Sequence, residues 1–100
     1  MGLAATSLAH FDAAAIGVRD LLVGGGRFIE AYALDRSGVR HRVGVREVGR
    51  NAAQSRVALF ESLLVRGLRA HAPLLVDVDR CQQLRARVRA AWGTYAVFVG

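Results

Sequence analysis

The period of the hydrophobic pattern changes along the chain. Residues 39–47 alternate strictly: Val39, His41, Val43, Val45 and Glu47 fall on one side, Arg40, Arg42, Gly44 and Arg46 on the other. A period of two predicts a strand with one buried face and one arginine-lined face. Before it, residues 27–34 are rich in aromatic and aliphatic side chains and read as a second strand. Asp35-Arg36-Ser37-Gly38 joins them with turn chemistry, so the two segments predict a hairpin. After Gly49 the period lengthens. Val57, Phe60, Leu63, Leu64 and Leu68 recur every three or four residues, which predicts an amphipathic helix over 52–70. Asn51 is its expected N-cap, and Pro73 its stop.

The rest of the chain continues in the same manner. Leu74–Val78 is a short apolar run suited to a buried parallel strand. Leu84, Val88, Ala91 and Trp92 form a second helical stripe starting near Cys81, with Arg85, Arg87 and Arg89 largely on its outer side. Gly93 closes that helix, and residues 95–99 form a last strand. Residues 7–23 admit two readings. Leu8, Phe11, Ala15, Val18 and Leu22 have helical spacing, which local signals favour slightly; alternatively, 13–23 is a strand paired with 27–34 across Gly24-Gly25-Gly26. The strand reading gives the order β-β-β-α-β-α-β: an antiparallel meander followed by β-α-β-α-β with right-handed crossovers. That is an α/β (α+β) mixed sheet of ribonuclease-H-like arrangement.

One hundred residues make a single domain. No apolar run approaches the ~18–20 residues needed to span a bilayer, and the N-terminus lacks a secretory pattern. The single cysteine, Cys81, excludes an internal disulfide. A soluble, cytoplasmic protein with no membrane partner is expected. All 14 basic residues are arginine against 8 acidic ones, a net charge of +6. Such an excess suits a polyanionic partner, most often nucleic acid. An Ala/Val/Gly-rich, lysine-free composition is also what a GC-rich coding sequence yields.

Candidate chemistry concentrates at Asp77 and Asp79, at the end of the 74–78 strand. Open α/β sheets place their chemistry at the carboxyl ends of strands. From Ala31 onward the chain resembles the mutator-type insertion-sequence transposases, whose catalytic domain is ribonuclease-H-like. The resemblance rests on four segments in order. Ala31–His41 matches a strand, turn and Gly-x-Lys-His element, and Val43–Gly49 the first half of the next segment. Leu59–Leu68 keeps the register of the family's helix end. Leu74–Gly93 matches a strand, acidic turn and helix. Residues 27–100 carry the match, and 1–26 are the uncertain part of a single partial domain.

The resemblance implies DNA strand transfer at a two-metal site of two Asp and one Glu, with Mg²⁺ or Mn²⁺ as the ion. Asp79 falls on the second catalytic position. Counting back from Ala31 lands on Arg19; a one-residue shift gives Asp20 as the first. The third acidic position lies downstream of residue 100 in the family. The expectation is therefore a mutator-family fragment inactive alone. Implied partners are DNA, as transposon ends and target, and further copies of the chain. A basic nucleic-acid-binding or protein-interaction module with a vestigial acidic site is the other reading. Arg40, Arg42, Arg46, Arg85 and Arg89 are the expected phosphate contacts.

Other features read as structural. The three glycines lack the spacing of a nucleotide loop and suit a hairpin turn. His10, His41 and His71 have no partner at metal-ligand spacing; His41 is expected to be a satisfied core histidine. Cys81 is expected to be a buried residue at a helix start.

Overall fold

The computed structural model describes residues 7–78 and 80–99. Strands and α-helices succeed one another as β1 (Ala13–Val23), β2 (Gly26–Asp35), β3 (Arg40–Glu47), α1 (Ala52–Val65), β4 (Leu74–Asp77), α2 (Gln82–Trp92) and β5 (Ala96–Phe98), with a 3-10 turn at Gly93–Tyr95 before β5. The five strands form one mixed sheet in the order β3-β2-β1-β4-β5. β1, β2 and β3 are antiparallel neighbours, β4 runs parallel to β1, and β5 parallel to β4. The protein is a small α+β fold.

Residues 13–23 are a strand, which corrects the slight preference of the local signals for a helix. Gly24 and Gly25, at φ +56° and +81°, close a two-residue turn between Val23 and Gly26. Positive φ at both positions gives the turn whose twist matches flanking strands. Pairing on both edges of β1 then outweighs a helical spacing that only local sequence supported. Asp35 shapes the second turn. Its carboxylate accepts from the amides of Ser37 and Val39, and Gly38 sits at φ +89°.

Both helices pack on one face of the sheet. Ile16, Val18, Ile29, Ala31, Ala33, Val43, Leu74 and Val76 point toward them. Leu59, Phe60, Leu63, Leu84, Val88 and Trp92 close the core from the helical side. Phe60 and Trp92 meet edge to face, with centroids 5.0 Å apart. A Cβ on Gly44 would come within 2.9 Å of Leu59 Cδ1, so this glycine lets α1 approach the sheet. The buried Trp92 indole N–H has no partner among the described residues.

Three expectations change in detail. First, α1 ends at Val65, not Ala70. Gly67, at φ +101°, donates its amide to the Leu64 carbonyl and Leu68 donates to that of Leu63, a left-handed stop placed well before Pro73. Second, no described element covers the opposite face of the sheet. β4 is therefore buried on one side only, with Leu75 and Asp77 exposed. Third, β3 does not alternate strictly. Ala31 pairs with Gly44 but Tyr32 with Arg42, leaving Val43 as a bulge. The extra residue reverses the facing of everything after it. Val45 is exposed on the open face, and Arg46 turns to the helical side. Arg66 of the α1 terminus donates to the Val43 carbonyl at 2.5 Å.

Candidate functional site

The sequence-derived residues fall into three places. Asp79 lies outside the described residues. Asp20 stands on β1, on the same side as Ile16 and Val18. The ladder from Ala15↔Leu34 to Val23↔Gly26 is continuous, so Arg19 and Asp20 face opposite sides of the sheet. Asp20 shares a cross-strand row with Ile29 and Arg46. Above the row, the Arg56 guanidinium of α1 donates to Asp20 Oδ1 at 2.6 Å. Asp77 pairs with Gly17 and lies on the open face, where it accepts from the Tyr32 hydroxyl at 3.2 Å. Burial and the Asp77 charge push the Tyr32 phenol pKa up.

The five arginines expected to contact phosphate are divided between the two faces. Arg40 and Arg42 stay on the open face, around a group that sequence reasoning passed over. This is Glu30, only 2% exposed. Arg19 donates to it at 2.8 Å, Arg40 lies 3.6 Å away, and Arg42 donates to its second oxygen. The overlying guanidinium groups, not the protein core, shield this carboxylate. Burial alone would raise its pKa, but the Arg42 and Arg19 hydrogen bonds outweigh that and hold it below the ordinary range. The cross-strand positions Arg19↔Glu30 and Tyr32↔Arg42 carry this network. The bulge at Val43, invisible in an alternating pattern, decides which arginines join it.

Arg46, Arg85 and Arg89 belong to the helical side. Arg85 and Arg89 lie over the Phe98 ring, at 5.4 and 5.0 Å. Arg46 and Arg50 line a 410 Å³ cavity at the start of α1, together with Gly49, Asn51, Gln54 and Ser55. Asn51 caps α1 as expected, accepting from the Gln54 amide at 3.0 Å.

The remaining candidates behave as structural groups. His41 Nε2 lies 2.9 Å from Asp35 Oδ2, and its ring meets Phe11 edge to face, so it is satisfied but half-exposed. Ser37 also bonds Asp35, not His41, so the three do not form a nucleophile–base–acid relay. Cys81 is the N-cap of α2 and half-buried, not fully buried as expected.

The surroundings of Asp20 do not suit the metal ion that the resemblance implies. Its carboxylate is met by a guanidinium, and the same row carries a second arginine. A dication would meet like charges there. Among the described residues no three His, Cys, Asp or Glu side chains are grouped to hold a metal. The described part of the site thus suits an anion better than Mg²⁺ or Mn²⁺. Among the described residues, no helix is long and apolar enough to cross a membrane. Neither a protein-family model nor a curated protein matches the chain.

Proposed function

We propose that the chain is a ribonuclease-H-like domain of the mutator-transposase kind, that its ligand is DNA, and that by itself it neither cuts nor joins strands. The observation that carries the reading is the strand order β3-β2-β1-β4-β5, with β4 parallel to a long central β1. This is the arrangement that the resemblance implies, with Asp20 on the central strand and Asp79 two positions after β4 in the sequence. Two-metal chemistry needs carboxylates free to hold the ions. The Arg56–Asp20 pair supports the second part of the reading, since it neutralises one of them.

The pair also favours the other reading, a basic nucleic-acid-binding module with a vestigial acidic site. The two share a ligand and differ in ancestry. The test uses the 100-residue chain with supercoiled duplex DNA and Mn²⁺. Retention on DNA that falls steeply with salt is expected, without nicking. Nicking that Asp79→Ala abolishes would overturn the inactivity. Absence of any DNA retention at low salt would overturn both readings.

A further inference from the structure

The net positive charge is not shared evenly between the faces of the sheet. On the open face, Arg19, Arg40 and Arg42 stand with Glu30, Asp77 and Glu47, three cations with three anions. The excess therefore resides elsewhere. Among the described residues at the start of α1, on the helical side, Arg27, Arg46, Arg50 and Arg56 gather with Asp20, four cations with one anion. Among the described residues, Arg27, Arg46 and Arg50 form no ion pair. The surface between Arg46 and Arg50 is concave, with a volume of 410 Å³, and the Gln54 side chain borders it. A concave, cation-lined surface with few carboxylates focuses field lines toward an anion.

We propose that this cavity binds the phosphate backbone of duplex DNA without a divalent metal ion, and that Asp20 pairs with Arg56 instead of holding metal. The proposal rests on the DNA reading above and assigns the surface that carries it. Planar guanidinium groups recognise phosphate by paired hydrogen bonds. Among the described residues, those of Arg46 and Arg50 form no ion pair. Arg40 and Arg42 face the opposite side and already serve Glu30.

The experiment measures anisotropy of a fluorescent mixed-sequence duplex of about 20 base pairs, in EDTA and in Mg²⁺, across a salt series. Equal affinity in EDTA and in Mg²⁺ is expected. Arg46→Ala/Arg50→Ala should weaken binding roughly tenfold or more and lower the salt slope by about 2. Asp20→Asn removes the one anion found there among the described residues and should tighten binding a few-fold at low salt. Retained circular dichroism will verify that each variant folds; Arg46→Gln alone carries the test if the double variant does not.

Binding that needs Mg²⁺, or is lost in Asp20→Asn, would overturn the proposal in favour of a metal site. So would loss of binding in Arg40→Ala/Arg42→Ala while Arg46→Ala/Arg50→Ala keeps it. The last result leaves the DNA reading intact. A wild-type chain that binds no DNA removes that reading as well.

Discussion

The two faces of the sheet are built from the same strands and obey different physics. On the helical face the side chains are apolar and closed over by α1 and α2. On the open face they are charged or half-exposed, and side chains there satisfy one another: Arg19, Arg40 and Arg42 enclose Glu30, while Tyr32 reaches Asp77 across Gly17. The first face holds the fold together by removing apolar area from water, which scales with burial. The second depends on paired charges, whose contribution is small wherever water reaches them. Stability should therefore follow the face a residue points to more closely than its hydrophobicity.

Leu63 and Leu75 give the largest contrast. Leu63 is fully buried between α1 and the sheet, whereas Leu75 is 49% exposed on the open face. Leu63→Ala should cost about 2–5 kcal/mol, as truncation leaves a cavity in a packed core. Leu75→Ala should cost within about 0.5 kcal/mol. Urea unfolding midpoints of the two variants measure the difference. Equal losses would mean that something covers the open face in solution.

How much of this was legible in the sequence follows the same division. The helical face was readable because a stripe such as Phe60-Leu63 or Leu84-Val88 depends only on local spacing. Asn51 and Gly93 were readable as caps for the same reason. The site was less so. Nothing in residues 39–47 announces the bulge at Val43, because alternation continues on both sides of it. That one residue separates Arg46 from Arg42. Glu30 was hidden in a run of apolar residues, and its importance comes from neighbours 11 and 12 positions away. Arg56 reaches Asp20 over 36 positions. Pairings of that length exist only once the sheet and α1 have met.

Glu30 is where the comparison can be broken, because it is a buried group on the open face. Glu30→Gln keeps the shape and removes the charge, leaving three guanidinium groups to repel one another. A loss of about 1–3 kcal/mol is expected at neutral pH, the range for hydrogen bonds to charged groups. The sign of the pH dependence follows from the lowered pKa. A carboxyl held below its unfolded value, about 4.3 for Glu, stabilises the fold above that value. The contribution is lost as pH falls through the folded pKa. Asp35, held down by Ser37, His41 and Val39, acts in the same direction. Wild-type stability should fall on acidification below about pH 4, and Glu30→Gln should fall less steeply. Urea midpoints on either side of that pH compare the two proteins; parallel acid slopes would show that Glu30 is not the group being protonated.

Glycines sharpen the contrast next, because each face uses one to make room. Gly44 admits Leu59 on the helical face, within 2.9 Å of where a Cβ would sit. Leu59 is itself on the sheet-facing side of α1 and only 3% exposed. Gly44→Ala should overpack that contact at about 1–3 kcal/mol. Thermal unfolding should show the loss. A neutral result would mean that α1 can slide on the sheet, and the helical face would then be less rigid than its burial suggests.

Gly17 performs the same service on the open face and should cost least. A Cβ there would lie 2.2 Å from the tip of the Tyr32 ring. That overlap is closer than the one at Gly44, yet the ring can rotate into solvent because none of the described residues covers it. The loss is then the exposed Tyr32–Asp77 hydrogen bond and the stacking of Arg40, 4.3 Å above the ring. Together these are worth about 1 kcal/mol or less. The tyrosine titration reports the movement more sharply than stability does. Leaving Asp77 and the sheet removes both causes that raise the Tyr32 phenol pKa, so it should drop toward its ordinary value. Ultraviolet absorbance can follow this, since the chain has only two tyrosines and Tyr95 can be replaced by Phe. An unchanged titration with a large stability loss would show that Tyr32 is held as firmly as the core, and the distinction between the faces would fail at this point.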